Sequence, residues 1–174
     1  MLRHALAAAA GAALLAGQVF LTRDDALAQA FGKDASVAVT THWLTEQQRA
    51  RASELAGTKV PAVVHAHAAK NAQGRLLGTA YFDARTVRTH SQSLMIAVAP
   101  DGSLARVTVL AFEEPLDYLP KSTWYETFAG KRLDAELQLK KGVHAVTGAT
   151  LTARATVAAV RETLALHQTV NEKQ

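Results

Sequence analysis

Ser93-Leu94-Met95-Ile96-Ala97-Val98-Ala99-Pro100-Asp101-Gly102-Ser103-Leu104-Ala105-Arg106-Val107-Thr108-Val109-Leu110-Ala111-Phe112 is the stretch that decides the fold. Two runs of strand length, rich in apolar and β-branched residues, flank a Pro-Asp-Gly turn. A connection this short joins antiparallel neighbours, because a parallel pair needs a crossover of about a dozen residues or more. Upstream, residues 60–69 and 76–85 read as two further strands, with Gly74 as the turn signal between them. Such strands with short links predict an antiparallel sheet, and the helical segments on either side of them predict helices on one of its faces, an α+β layer structure.

Working towards the N-terminus, residues 36–44 read as a strand. Thr45 and Gln48 are spaced as a capping box that opens a helix through Leu55 to a stop at Gly57. Val19-Phe20-Leu21 reads as a short strand, and Thr22-Arg23-Asp24-Asp25 as a second capping box opening a helix to Phe31. Residues 18–57 are therefore expected as a strand and helix extension laid on the main domain as a flap. Residues 58–170 form that domain and residues 171–174 a polar tail. Towards the C-terminus a loop is expected at residues 116–120, with short helices at 121–129 and 133–139. A final helix is expected at 151–167, with Leu151, Ala155, Ala158, Val160 and Leu164 on its buried face.

Val143-His144-Ala145-Val146-Thr147-Gly148-Ala149-Thr150-Leu151-Thr152 leads into that last helix. An apolar, strand-like segment breaks at Thr147-Gly148, and hydroxyls follow at Thr150 and Thr152. The first N–H groups of a helix lack intrahelical partners and carry partial positive charge, so this junction favours an anion such as phosphate. The plainer reading makes Thr147 or Thr150 an N-cap.

Thr147-Gly148-Ala149-Thr150-Leu151-Thr152 resembles the [Ser/Thr]-Gly-Ala-Thr-x-[Thr/Ser] motif of FMN-binding domains. That family includes the periplasmic flavin-bearing domain of sodium-pumping NADH:quinone reductases and its counterpart in Rnf complexes. The resemblance extends over roughly residues 60–168, through Gly74 to Phe82, the Pro100-Asp101-Gly102 hairpin, and Ala111-Phe112-Glu113-Glu114-Pro115 to Trp124 and Lys131. It implies FMN joined through its phosphate to Thr150 by a flavin transferase, with Thr147, Gly148, Ala149, Leu151 and Thr152 shaping the phosphate pocket. Glu113-Glu114-Pro115 stands where the family carries a Glu-Thr-Pro-Gly type segment bordering the flavin. Glu114 is accordingly a candidate acceptor for the ring's N–H edge or a ribityl hydroxyl, and Trp124 a candidate ring stacker, although Trp124, Tyr125 and Phe128 at helical spacing also suit a core. Arg88, in the polar run from Asp83 to His90, is a candidate phosphate ligand, with a solvated loop as the competing reading. One departure is evident. The family usually has an acidic residue six positions before the acceptor threonine, within the pattern the transferase recognises, and this chain has His144.

Composition excludes other chemistries. The chain of 174 residues has no cysteine, which removes disulfides, thiolate metal sites, cysteine nucleophiles, iron–sulfur ligation and a lipoprotein anchor. Its formal charge of +4 is spread over 19 Lys and Arg among 15 acids, with no basic stripe interleaved with aromatics, so no nucleic-acid partner is expected. Nucleotide-binding glycine patterns and a nucleophile elbow are missing. His65 and His67 share a strand face but find no third ligand nearby in sequence, so no metal is expected.

Met1-Leu2-Arg3-His4 followed by an apolar run from Ala5 to Ala16 has the form of a signal peptide or N-terminal anchor over residues 1–17. Cleavage near Ala16 or Gly17 is preferred to the Ala26-Leu27-Ala28 site, which would discard a capped helix. The sequence therefore predicts an exported FMN-carrying electron-transfer protein, periplasmic or anchored facing the periplasm. It would be matured by a flavin transferase and partnered by a membrane-bound or periplasmic electron-transfer protein. The alternative is a periplasmic binding or assembly module that keeps the fold and binds FMN non-covalently or not at all.

Overall fold

A computed structural model describes residues 18–172. The expected signal or anchor segment at 1–17, and the last two residues of the expected tail, lie outside the described residues. Six antiparallel strands form one sheet: β1 (Gln18–Val19), β2 (Ser36–Trp43), β3 (Val63–Lys70), β4 (Leu76–Thr86), β5 (Ser91–Val98) and β6 (Leu104–Phe112), in the order β1-β6-β5-β4-β3-β2. The helices are α1 (Arg23–Phe31), α2 (Glu46–Ala56), α3 (Ser122–Glu126) and α4 (Thr150–Asn171), with a 3-10 turn at Leu116–Tyr118. The expected α+β architecture is observed, and α4 packs on the sheet. Among the described residues, no helix is long and apolar enough to cross a membrane.

The Pro-Asp-Gly turn closes as read. Ala99 N–H donates to Ser103 O at 2.8 Å, Gly102 N–H donates to Ala99 O at 2.9 Å, and Gly102 takes the left-handed φ of +81°. Strand alternation then sorts side chains between two cores. Leu94, Ile96 and Val98 of β5 join Tyr81, Val107, Phe128, Val160 and Leu164 on the face covered by α2, α3 and α4. Met95 joins Ala80, Leu110 and Ala26 of α1 on the other face. Helices were expected on one face only, but α1 covers the second. Gly78 permits this, since a Cβ there would stand 2.8 Å from the Phe31 ring of α1 and 2.7 Å from Val98 O.

Residues 18–57 are not a flap. β1 pairs with β6 and β2 with β3, so this segment supplies both edge strands, while α2 contributes Ala52 and Ala56 to the main core. Both predicted helix starts are found. Thr45 and Gln48 form the complete capping box, and the Thr22 hydroxyl accepts the Asp25 N–H at 3.1 Å while donating to that residue's carboxylate at 2.7 Å.

No helix forms at 133–139. Asp134 Oδ1 accepts the N–H groups of Glu136 and Leu137, each at 2.9 Å, and this local bonding competes with helix formation. The expected helix at 121–129 is α only over Ser122–Glu126, ending in turns before Gly130. The final helix runs longer than expected and buries a different face. Val160 and Leu164 are buried as predicted, but Leu151 is 45% exposed, Ala155 and Ala158 are half-buried, and Thr152, Thr156 and Thr163 are buried instead. Hydropathy alone misplaced the face because two of these hydroxyls have partners: Thr152 Oγ1 donates to Tyr118 O, and Thr156 Oγ1 accepts from Gln92 Nε2.

Arg161 ties α4 to its neighbours. Its guanidinium donates to the carbonyls of Leu55 at 3.1 Å, Ala56 at 3.3 Å, Asp134 at 2.9 Å and Leu137 at 3.3 Å. It thereby satisfies the last carbonyls of α2, which have no intrahelical donor. Replacing Arg161 with Met keeps the stem and removes these bonds. Unfolding in urea should show a loss of roughly 1.5–3 kcal/mol, the range for hydrogen bonds to a charged group; an unchanged midpoint would contradict the role.

Candidate functional site

The approach to α4 is shaped by three local choices. Leu137 and Val143 are buried to 1% exposure and pull the 131–149 segment onto the core, where Leu139 and Val143 make an isolated bridge. Trp124 Nε1 donates to His144 O at 2.8 Å and fixes the backbone six residues before Thr150. Gly148 then turns with φ +83°, a left-handed conformation natural to glycine. Val143–Val146 is not a strand beyond that bridge.

The helix begins without a cap. The N-cap position is Ala149, and no side chain bonds there, so neither Thr147 nor Thr150 is the cap. Ala153 N–H is the first to reach back into the helix, to Ala149 O at 2.9 Å. The N–H groups of Thr150, Leu151 and Thr152 are thus the positive end of the helix dipole, free of a protein acceptor of their own. Thr150 is the first residue of α4 and is exposed, and its hydroxyl makes only a long 3.4 Å contact to Val146 O. Thr152, by contrast, is 1% exposed and its hydroxyl donates to Tyr118 O at 2.6 Å, so it joins the 3-10 turn to the helix start and is not free to bind a ligand.

Gly148, Ala149, Thr150, Leu151 and Thr152 line a cavity of about 130 Å³ together with Arg88 and Tyr118. The Arg88 guanidinium lies 5.0 Å from the Tyr118 ring centroid, a cation–π distance. Among the expected site residues, the structure therefore brings Arg88 to the helix start. Thr147 is exposed just before the turn, outside this lining. Thr150 also borders a larger cleft of about 500 Å³ on its other side, where Arg154 and Lys140 stand.

Glu114 and Trp124 lie outside the cavity lining, and both are committed elsewhere. Glu114 is 7% exposed, and its Oε1 accepts the Thr89 N–H at 2.8 Å, the His90 N–H at 3.1 Å and the Thr89 hydroxyl at 3.3 Å. The Thr89 N–H foremost, with the His90 N–H and the nearby imidazole, holds this carboxyl below its ordinary pKa despite the opposing cost of burial. It is ionised at neutral pH, and its Oε1 is engaged by the Thr89 and His90 groups. Trp124 is 8% exposed, with Tyr125 and Phe128 edge-on to it at 5.0 Å, so it is a core residue and not a stacking surface. Tyr118 is the lining residue that the sequence left unmarked, since an isolated tyrosine in a loop carries no spacing signal.

An uncapped helix start, an arginine and a pocket of phosphate size fit the phosphate end of a nucleotide-like cofactor. Residues 91–165 match the FMN-binding domain family. This segment is an FMN-binding domain. It includes the start of α4, Tyr118, Glu114 and Trp124, while Arg88 lies just before it. No curated protein and no solved structure matches the chain. The FMN-binding domain points to a flavin-carrying redox role with FMN as its cofactor.

Proposed function

We propose that this protein is an exported FMN carrier, with the flavin ester-linked through its phosphate to Thr150, that relays electrons in an extracytoplasmic or membrane-associated redox chain. The observation that carries the reading is the exposed Thr150 hydroxyl at an uncapped helix start, beside a cavity that Arg88 also lines. Gly148 and Ala149 shape the turn, the N–H groups at the start of α4 meet the phosphate oxygens, and Arg88 supplies the countercharge. In the attachment, the Thr150 Oγ loses its proton and attacks the phosphorus of a flavin donor whose FMN is joined to a nucleotide through a pyrophosphate. The P–O bond to that nucleotide breaks, the nucleoside monophosphate leaves with the proton, and the chain gains one FMN less water.

A cavity of about 130 Å³ holds the phosphate end only, since whole-ligand pockets are typically about 300–1,000 Å³. The ring then lies outside, where Leu116 and Leu151 expose apolar surface on the two elements that frame the cavity. Bound FMN supplies the electron-accepting and electron-donating chemistry, and the protein's part is to fix it with one edge open to a partner. The partners on this reading are a flavin transferase for maturation and a membrane-bound or periplasmic electron-transfer protein. The location is the periplasm, free or anchored through the N-terminus.

His144 favours the second reading, a module that binds FMN non-covalently or not at all. Its side chain is exposed while its carbonyl is held by Trp124, so the residue can be exchanged without disturbing the turn. Intact mass of protein co-produced with a flavin transferase tests both. A yellow product heavier by one FMN less water supports the carrier, and an unchanged mass with no flavin released on denaturation overturns it. His144→Asp should raise the modified fraction; an unchanged fraction would show that the position does not limit attachment.

A further inference from the structure

The loop that carries Arg88 is held from outside the cavity. Val87 N–H donates to His90 O at 3.0 Å, which closes a tight turn with Arg88 at its corner. The turn meets one carboxylate oxygen of a residue outside the cavity lining. Glu114 Oε1 takes both consecutive N–H groups, Thr89 and His90, and the Thr89 hydroxyl. The other oxygen stands 3.7 Å from His90 Nδ1. The preceding residue does a different job: Glu113 Oε2 accepts the Ser91 N–H at 3.1 Å, and Glu113 N–H donates to Ser91 O at 3.0 Å, extending the β5–β6 pairing by one step. Two adjacent carboxylates thus secure one connection, Glu113 its strand end and Glu114 its turn.

We propose that Glu114 is the positioning residue of the phosphate site: by gripping the Thr89 and His90 amides it sets Arg88 against Tyr118 and over the start of α4. This rests on the reading of the cavity as the FMN phosphate pocket. Arg88 is exposed, and a free arginine side chain loses rotamer entropy when it is fixed on a ligand. A turn locked by charge-assisted hydrogen bonds removes the backbone share of the ordering before the ligand arrives. Glu114 then acts on the ligand only through Arg88, and only on the part of the ligand that Arg88 meets.

Riboflavin, which lacks the phosphate, isolates that part. Equilibrium binding of FMN and of riboflavin, followed by flavin fluorescence, should show wild-type protein preferring FMN. Glu114→Gln should lower FMN affinity roughly ten- to a hundredfold, the effect of one lost hydrogen bond to a charged group, and leave riboflavin binding unchanged. Arg88→Met should do the same, and Glu114→Gln added to Arg88→Met should cost nothing more. Should Glu114→Gln fail to fold, Glu114→Asp, which keeps the charge and draws it back, should shift the preference in the same direction by less. Equal losses for both flavins, an unchanged FMN preference, or full additivity with Arg88→Met would overturn the positioning role and leave the carrier reading standing. Wild-type protein, produced without the transferase, with no preference for FMN over riboflavin would overturn the reading of the cavity as a phosphate pocket, and this inference with it; the covalent carrier reading is tested separately by intact mass.

Discussion

Thr150→Ala should abolish covalent flavin while leaving the fold intact. The wild-type hydroxyl contributes almost nothing to stability, since its one contact is 3.4 Å long and it caps no helix. Alanine is also the best helix former at the position it would occupy. Stability should therefore stay within about 0.5 kcal/mol of wild type, as is usual for surface changes, and the loss of flavin can be read as lost chemistry. Intact mass should return to that of the bare chain, with no fluorescence on a denaturing gel, whereas Thr150→Ser retains an oxygen in place and should retain some attachment. Thr152→Ala is the informative contrast. It strips the hydroxyl from the Tyr118 carbonyl and should destabilise by about 1–3 kcal/mol, the cost of an unpaired buried acceptor, while leaving the acceptor oxygen available. Full flavin loading of Thr150→Ala would move the attachment point elsewhere and overturn the assignment.

Phe128→Ala should produce the largest loss of stability. The side chain is fully buried in the main core, edge-on to Trp124 at 5.0 Å, and its removal leaves a cavity between α3, the sheet and α4. Such truncations cost about 3–5 kcal/mol, a large share of the roughly 5–15 kcal/mol that holds a domain folded. The effect should reach the site as well, because the Trp124 that Phe128 supports holds the His144 carbonyl. Urea unfolding gives the magnitude. Trp43→Ala, at a position 77% exposed on the outer strand β2, is the control and should stay within about 0.5 kcal/mol. A Phe128→Ala loss under about 1 kcal/mol would show that this part of the core collapses around the gap.

The legible parts of the molecule were those governed by local rules. The Pro-Asp-Gly hairpin and the Thr45–Gln48 cap need only neighbouring residues, and both stand as read. Long-range partnership is where reading by pattern fell short. Nothing local tells Gln18 and Ser36 that their strands will lie at opposite edges of one sheet, or tells α1 that it will cover the free face. The buried face of α4 was misjudged because hydropathy counts a threonine as polar, whereas Thr152 and Thr156 are buried with their hydroxyls hydrogen-bonded. At the site, the structure places Arg88 beside the start of α4 and gives Trp124 the core role that its helical spacing also allowed, whereas the hold of Glu114 on the Thr89 and His90 amides had no local signal. A carboxylate that holds a loop and one that touches a ligand have the same sequence signature. Only the geometry separates them.

The pairing of Gln18 with Phe112 has a consequence for reach. Glu113 and Glu114 follow directly, so the polypeptide joins the sheet at the same end as the loop that carries Arg88. On the proposals that the chain is anchored ahead of Gln18 and carries FMN at the start of α4, the flavin would be confined to a thin shell above the bilayer. A membrane partner in that shell would meet the flavin at an effective concentration on the order of millimolar, set by tether length and independent of the affinity between the two proteins.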